Sequence, residues 1–189
     1  HYGYVTWVKK PVDELKPQHL YYDNKTKKID GNVYTKATYE FTKGVSAFAD
    51  LQYRYVHIQM MGPADASSAK RKFSYDVNQT FKFFNPKFGV NYELSTSHRL
   101  YASYAITHRE PVRTNFEHNI DAQIEMPRAE RLNDLEAGYE YRNKHFSAGV
   151  NFYYMNYKDQ LVPTGEIKLD KAVTRNFPRS YRAGVELIA

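Results

Sequence analysis

The stretch Lys87-Phe88-Gly89-Val90-Asn91-Tyr92-Glu93-Leu94 decides the fold. In steps of two, Phe88, Val90, Tyr92 and Leu94 fall on one side, while Lys87, Gly89, Asn91 and Glu93 fall on the other. A period of two is the signature of a β-strand with one apolar and one polar face. The pattern returns where Leu135, Ala137, Tyr139 and Tyr141 oppose Asp134, Glu136, Gly138, Glu140 and Arg142. It also governs Asn32–Phe41, Val45 to about Met60, and Arg99–His108. The apolar faces are rich in Tyr and Phe, and no other part of the chain is large enough to cover them. Lipid is the covering they require, which points to a membrane barrel.

Composition agrees once hydropathy is read correctly. The 189 residues suffice for one domain, and 27 Lys and Arg against 21 Asp and Glu leave a formal charge of +6. A mean hydropathy of −0.72 resembles a soluble protein, yet alternation of lipid-facing and lumen-facing residues lowers the average of any transmembrane barrel. No run approaches the roughly 18 apolar residues of a spanning helix, which excludes a helical membrane protein. There are 18 Tyr and 11 Phe but one Trp. A soluble sandwich would fill its inner face chiefly with Val, Ile and Leu, whereas Tyr suits a boundary between apolar and wet surroundings. The absence of cysteine excludes disulfides, thiolate metal sites and a cysteine nucleophile.

The expected fold class is all-β: an up-and-down antiparallel transmembrane β-barrel segment of about eight strands, forming one domain over residues 1–189. The first strand is placed at Tyr2–Lys9 and the last at Val173–Ile188. Short turns are expected at about 42–44, 95–98 and 143–145, the first with Gly44 supplying positive φ. Long loops are expected at about 10–31, 61–72, 110–130 and 163–172. Segregation of short turns to one rim and long loops to the other is how outer-membrane barrels are built. Pro86, unable to donate to a ladder, is expected to force a bulge. Isolated glycines, including Gly89, Gly138 and Gly184, read as strand kinks or as room for neighbouring aromatics. The abrupt start at His1 and the alternation still running at Ile188 suggest a segment of a longer chain.

Several strings resemble the C-terminal half of a TonB-dependent outer-membrane receptor. They are Asn85-Pro86-Lys87-Phe88-Gly89-Val90-Asn91-Tyr92, Tyr101-Ala102-Ser103-Tyr104-Ala105 with Arg109-Glu110-Pro111, and Glu130-Arg131-Leu132-Asn133-Asp134-Leu135-Glu136-Ala137-Gly138-Tyr139. Phe152-Tyr153-Tyr154-Met155-Asn156-Tyr157-Lys158-Asp159-Gln160-Leu161 and Asn176-Phe177-Pro178-Arg179-Ser180-Tyr181-Arg182-Ala183-Gly184-Val185-Glu186 complete the set. The resemblance covers roughly the last 105 residues strongly. It implies part of a barrel of about 22 strands with a plugged lumen. It also implies uptake of a scarce nutrient (ferric siderophore, haem, cobalamin or glycan), with TonB acting through the receptor's own plug domain. The plug, a TonB box and the terminal aromatic of such barrels are not among these residues.

Candidate ligand contacts lie in the loop 110–130 and at its edge. Arg109, Arg113 and His118 suit an anionic or chelated ligand, because Arg pairs directionally with carboxylates, and Phe116 suits stacking. The alternative reading makes them solvated loop residues or wall-to-plug salt bridges. Glu93, Asp134, Glu136, Glu140, Arg142, Arg182 and Glu186 are expected to form cross-strand pairs rather than catalytic sites. The seven His show no metal-ligand spacing, and no phosphate loop, nucleophile elbow or dinucleotide fingerprint appears. The expectation is a non-enzyme without cofactor or metal, located in the cell outer membrane. Its expected partners are membrane lipid, lipopolysaccharide, plug, TonB and a small nutrient. Nucleic acid is not expected, because the basic residues form no stripe on one element. Two alternatives are a stand-alone eight-stranded barrel with a structural or adhesive role, closed by pairing Tyr2–Lys9 with Val173–Ile188, and a soluble carbohydrate-binding β domain.

Overall fold

The computed structural model describes residues 2–4, 20–63, 74–168 and 171–189; for 2–4, 20–22 and 171 it describes the backbone alone. Among them are nine strands and one helix: β1 (Tyr2–Tyr4), β2 (Leu20–Asp23), β3 (Lys25–Thr42), β4 (Val45–Pro63), β5 (Ser74–Ser95), β6 (His98–Arg109), α1 (Arg113–Asp121), β7 (Glu130–Arg142), β8 (Ser147–Lys168) and β9 (Lys171–Ile188). Strands β3 to β9 form one antiparallel sheet in sequence order, each paired with the next. Strands of 12 to 22 residues exceed the usual soluble length and suffice to cross a bilayer at a tilt.

Alternation in the sequence becomes a division between two faces. Direct pairing joins Ala37 to Ala49, Ala49 to Phe88, Phe88 to Tyr104, Tyr104 to Leu135 and Leu135 to Tyr154. One face therefore carries Val33, Tyr39, Phe88, Val90, Tyr92, Leu100, Tyr104, Leu135, Phe152, Tyr154, Val185 and Leu187. These large side chains remain uncovered: Tyr39 is 66% exposed and Leu187 82%. On the opposite face Arg99 pairs with Glu140 at 2.7 Å; of the seven charged residues expected in cross-strand pairs, Glu140 alone has an ion-pair partner among the described residues.

Packing on that opposite face repeats one device. Phe48 is directly paired with Gly89, Tyr101 with Gly138, and Tyr153 with Gly184. A Cβ built at Gly138 would lie 2.4 Å from Tyr101 Cζ, and at Gly184 2.5 Å from the Tyr153 hydroxyl. Each aromatic ring lies across a glycine and uses the space that a side chain would fill. The Tyr101 hydroxyl then donates to Asn151 Oδ1 on β8 at 3.0 Å, spanning three strands.

The connections differ from expectation in instructive ways. Short turns lie at 43–44, 96–97 and 143–146, and Gly44 has φ +83° with its carbonyl accepting from Glu93 N–H at 2.7 Å. The segment 10–31 contains β2 and the start of β3, because Lys25–Gly31 pairs continuously with Met61–Tyr55. Backbone pairing there proceeds without an apolar pattern to announce it. The first strand ends at Tyr4 among described residues and pairs with β2, not with β9; residues 5–9 lie outside the described set. The closure of a stand-alone eight-stranded barrel by Tyr2–Lys9 and Val173–Ile188 is therefore not the arrangement of the described residues. Of 61–72, Met61–Pro63 belong to β4 and the rest lie outside the described residues. Of 163–172, the described residues 163–168 and 171–172 extend strands β8 and β9, with Pro163 opposite Thr174 and Ile167 opposite Ala172.

No bulge interrupts β4–β5 at Pro86, which pairs in register with Leu51. The interruption falls on the other side, where the β5–β6 ladder begins only at Lys87–Ala105. There the Asn85 side chain substitutes, Oδ1 accepting from His108 N–H at 3.1 Å. This is consistent with the missing N–H of Pro86.

Candidate functional site

The face opposite the Tyr/Phe/Val face changes character near the long-loop end. Along β4 it carries Ser46, Asp50, Gln52 and Arg54, then Val56, Ile58 and Met60, all three buried. The other face switches in the reverse sense, from Leu51, Tyr53 and Tyr55 to His57 and Gln59. Both faces invert polarity between Tyr55 and His57. What covers Val56, Ile58 and Met60 is the segment Glu110–Glu130, expected as a loop and found to contain α1.

The helix is short and has a thin apolar stripe, Phe116 and Ile120, one turn apart. Its start is closed by Asn115, whose Oδ1 accepts from Val112 N–H at 3.0 Å. Its end is closed by Ala122 N–H on the His118 carbonyl and Ile124 N–H on the Asn119 carbonyl. Phe116 is 0% exposed and enters a cluster of Val56, Ile58, Met60, Tyr75, Val77 and Phe83, flanked by Phe81, Ile120, Met126 and Ala129. Burying a Phe in this way contributes about 1.5–3 kcal/mol, enough to hold a two-turn helix that would not persist alone.

Polar groups around that ring are bonded to the wall. Asn119 donates to the Glu125 carbonyl at 2.8 Å and accepts from the Thr174 hydroxyl at 3.2 Å. Arg113 reaches Glu117 at 2.6 Å and bonds the Asn24 side chain. Glu110, 7% exposed, accepts from Lys28 Nζ at 2.8 Å and from Arg54 Nη1 and Nη2 at 2.8 and 2.9 Å. Arg54 also grips Asp30, through Nε at 3.0 Å and Nη2 at 2.5 Å. Burial alone would push the Glu110 carboxyl up, but the Lys28 and Arg54 bonds outweigh it and hold the group below its ordinary 4.5. Glu130 ties three strands, taking Arg109 Nη2 at 2.7 Å and Leu161 N–H at 2.9 Å.

The four residues expected to meet ligand are not gathered in one pocket. Arg109 lies at the end of β6, exposed and paired with Glu130. Arg113, with Lys25, Lys27, Gln59 and Met61, borders an open cavity of about 510 Å³. Phe116 is entirely within the packed cluster and presents no ring face to solvent. His118, on the other side of the helix, donates from Nδ1 to the Ala172 carbonyl at 3.0 Å. A second cavity, about 360 Å³, lies beside the helix between Asn119, Glu125, Met126, Thr174, Arg175 and Asn176. The network Lys28–Asp30–Arg54–Glu110 escaped the sequence reading. The signal available for it was the inversion of polarity at Tyr55–His57, which marks where the wall stops facing open lumen. Among the described residues, no group of three His, Asp or Glu side chains is placed to hold a metal ion.

A long-stranded, up-and-down sheet with one uncovered aromatic face, and an outer segment folded onto the other, is a wall segment of a transmembrane β-barrel. The chain belongs to the TonB dependent receptor-like, beta-barrel family, which it matches over residues 2–189. Proteins of this family serve outer-membrane uptake of nutrients. Similar solved structures include the FrpB iron transporter of Neisseria meningitidis (F3-3 variant), with 20% identity and a TM-score of 0.60 over 88% of this chain and 24% of that one. The ferric-catecholate import receptor Fiu of E. coli K12 is 12% identical, TM-score 0.66, over 94% and 28%. The ferric yersiniabactin uptake receptor FyuA of Yersinia pestis is 15% identical, TM-score 0.65, over 90% and 26%. The chain thus spans about a quarter of the length of these structures. A comparison with curated protein sequences gives no match.

Proposed function

We propose that this chain is part of the barrel wall of an outer-membrane receptor that imports a scarce nutrient, of the siderophore-iron, haem, cobalamin or glycan class, in a TonB-dependent manner. It acts by binding and passage, not by catalysis. One face meets membrane lipid, and the other meets the lumen and the receptor's plug, through which TonB acts. The observation that carries this reading is the pairing of an uncovered Tyr/Phe/Val face with a polar face across seven strands, in a chain of this family.

At the outer rim, segment 110–130 is the ligand-facing element, with Arg109, Arg113 and His118 as its polar contacts. Phe116 supports them by seating the helix. Lys25 and Lys27, which continue the outer side of the wall past its apolar part, join Arg113 around one cavity and add positive charge to the rim where an anionic or chelated nutrient first arrives.

The test is uptake by the complete receptor in a host lacking its own importers, supplied in turn with ferric siderophore, haem, cobalamin and oligosaccharide. The reading expects growth or label accumulation with one class, abolished by removal of TonB. Arg113→Gln is expected to raise the half-saturating concentration several-fold. Uptake that persists without TonB would overturn the reading.

A further inference from the structure

Segment 110–130 fills a notch at the long-loop rim. Strands β6 and β7 end at Arg109 and Glu130, whereas β4 and β5 reach Pro63 and Ser74 on one side, and β8 and β9 reach Lys168 and Lys171 on the other. Its joints to the two flanks differ in kind. The joint to β4 and β5 is the apolar cluster around Phe116, to which neither β8 nor β9 contributes a residue. The joint to β9 is polar: His118 bonds the Ala172 carbonyl, the Thr174 hydroxyl donates to Asn119, and Arg128 N–H donates to Asn176 Oδ1 at 2.8 Å. The cavity of about 360 Å³ lies within this polar joint, between residues 119–126 and 174–176.

The polar lining is held in place by the protein itself. Between the pairs Lys158–Arg179 and Gln160–Phe177, Asp159 adopts φ +55°, and Pro178, which has no N–H, cannot donate to it. The Asn176 side chain donates instead, to the Asp159 carbonyl at 2.6 Å and to the Arg128 carbonyl at 3.0 Å. Asn119, 1% exposed, is fixed by the Glu125 carbonyl and the Thr174 hydroxyl. Among the described residues these bonds leave Asn119 one amide hydrogen and one lone pair, Thr174 its hydroxyl lone pairs, and Asn176 one lone pair.

The remaining lining specifies the ligand by exclusion. Glu125 and Arg175 bring opposite charges to one cavity, and Ile124 with Met126 adds an apolar patch. A free anion would meet Glu125 and several lone pairs, and a cation would meet the Arg175 guanidinium. A pure hydrocarbon would leave the buried Asn119 and Thr174 with unmet polar capacity, which is costly. A hydroxyl is donor and acceptor at once and suits a lining that offers both. A sugar ring carries several hydroxyls around an apolar C–H face, the complement of this mixture.

We infer that the cavity between α1 and β9 is a subsite for the end of an oligosaccharide, with its hydroxyls on Asn119, Thr174 and Asn176 and its C–H face on Ile124 and Met126. The inference rests on the uptake reading proposed above and selects the glycan from its four classes. Ligand pockets span roughly 300–1,000 Å³, and a cavity near the lower end of that range holds a sugar ring but not haem or cobalamin.

The test applies the complete receptor, in a detergent whose head group is not a sugar, to an array of defined short oligosaccharides and short peptides. The wild type is expected to retain at least one oligosaccharide and no peptide, and calorimetry with the best-retained oligosaccharide gives its affinity. Thr174→Val removes the hydroxyl and is expected to weaken binding about tenfold. Ile124→Trp fills the cavity and is expected to abolish binding. Lys144→Gln, in the short turn at the opposite rim, is the control and should leave binding unchanged. Limited proteolysis within 110–130 checks each variant's fold; where Ile124→Trp is cut there, Thr174→Val decides. Retention of no oligosaccharide by the wild type, retention of peptides in their place, or wild-type affinity in the intact variants would overturn the assignment. The uptake assay with TonB removed separates the two failures. TonB-dependent uptake of another nutrient with no oligosaccharide bound defeats the subsite alone, whereas oligosaccharide binding with TonB-independent uptake defeats the uptake reading and leaves the subsite standing.

Discussion

At the scale of single residues, the outer segment depends on one ring and one carboxylate. Phe116→Ala removes the fully buried apolar side chain of α1 from the cluster on β4 and β5 and should cost about 3–5 kcal/mol of local stability. Limited proteolysis of the complete receptor is expected to cut within 110–130 in this variant and not in the wild type. Glu110 collects Lys28 and Arg54, and its folded carboxyl lies below 4.5. A carboxyl lowered by folding contributes stability in full above its unfolded value, and loses it as pH falls through the lower folded one. Amide protection over 113–121, corrected for the intrinsic exchange rate at each pH, is therefore expected to stay high at neutral pH and to fall once pH drops below 4.5. Glu110→Gln should abolish that acid dependence.

At the scale of elements, the aromatic-over-glycine pairs fix how neighbouring strands lie. Gly138→Val drives a side chain into the Tyr101 ring, whereas Gly31 has no atom within 4 Å of a built Cβ. The first substitution should cost about 1–3 kcal/mol and the second far less, read from urea midpoints of the folded receptor. Sequence alone made these strands legible wherever one face was uniformly apolar, as in 87–94 and 134–142. It lost them where pairing continues past the apolar region: Lys25–Gly31 and Pro163–Lys168 are strand by hydrogen bonding alone. It lost α1 because two apolar residues one turn apart carry almost no periodic signal. The candidate site was half legible for the same reason. Arg109, Arg113, Phe116 and His118 could be singled out by type, but Lys28 and Arg54 reach Glu110, and Asp30 reaches both cations, only through a register that spans strands far apart in sequence.

At the scale of the whole molecule, the account stands on which medium wets each face. Leu135→Arg, near the middle of the uncovered face, should cost about 2–4 kcal/mol in a bilayer, while Asn91→Arg on the other face should cost much less. The seven-stranded sheet has β3 and β9 as its outer members, which suits a wall continued by further strands of a larger barrel. The most direct measurement exploits the absence of cysteine from this chain. Single cysteines placed in turn along 131–142 and spin-labelled in the membrane-embedded receptor report collision with oxygen, which concentrates in lipid, and with a water-soluble nickel complex. With position 138 left out, because Tyr101 covers it, the account predicts strict alternation: 135, 137, 139 and 141 respond to oxygen, and 136 and 140 to nickel. Nickel accessibility at both odd and even positions would contradict it.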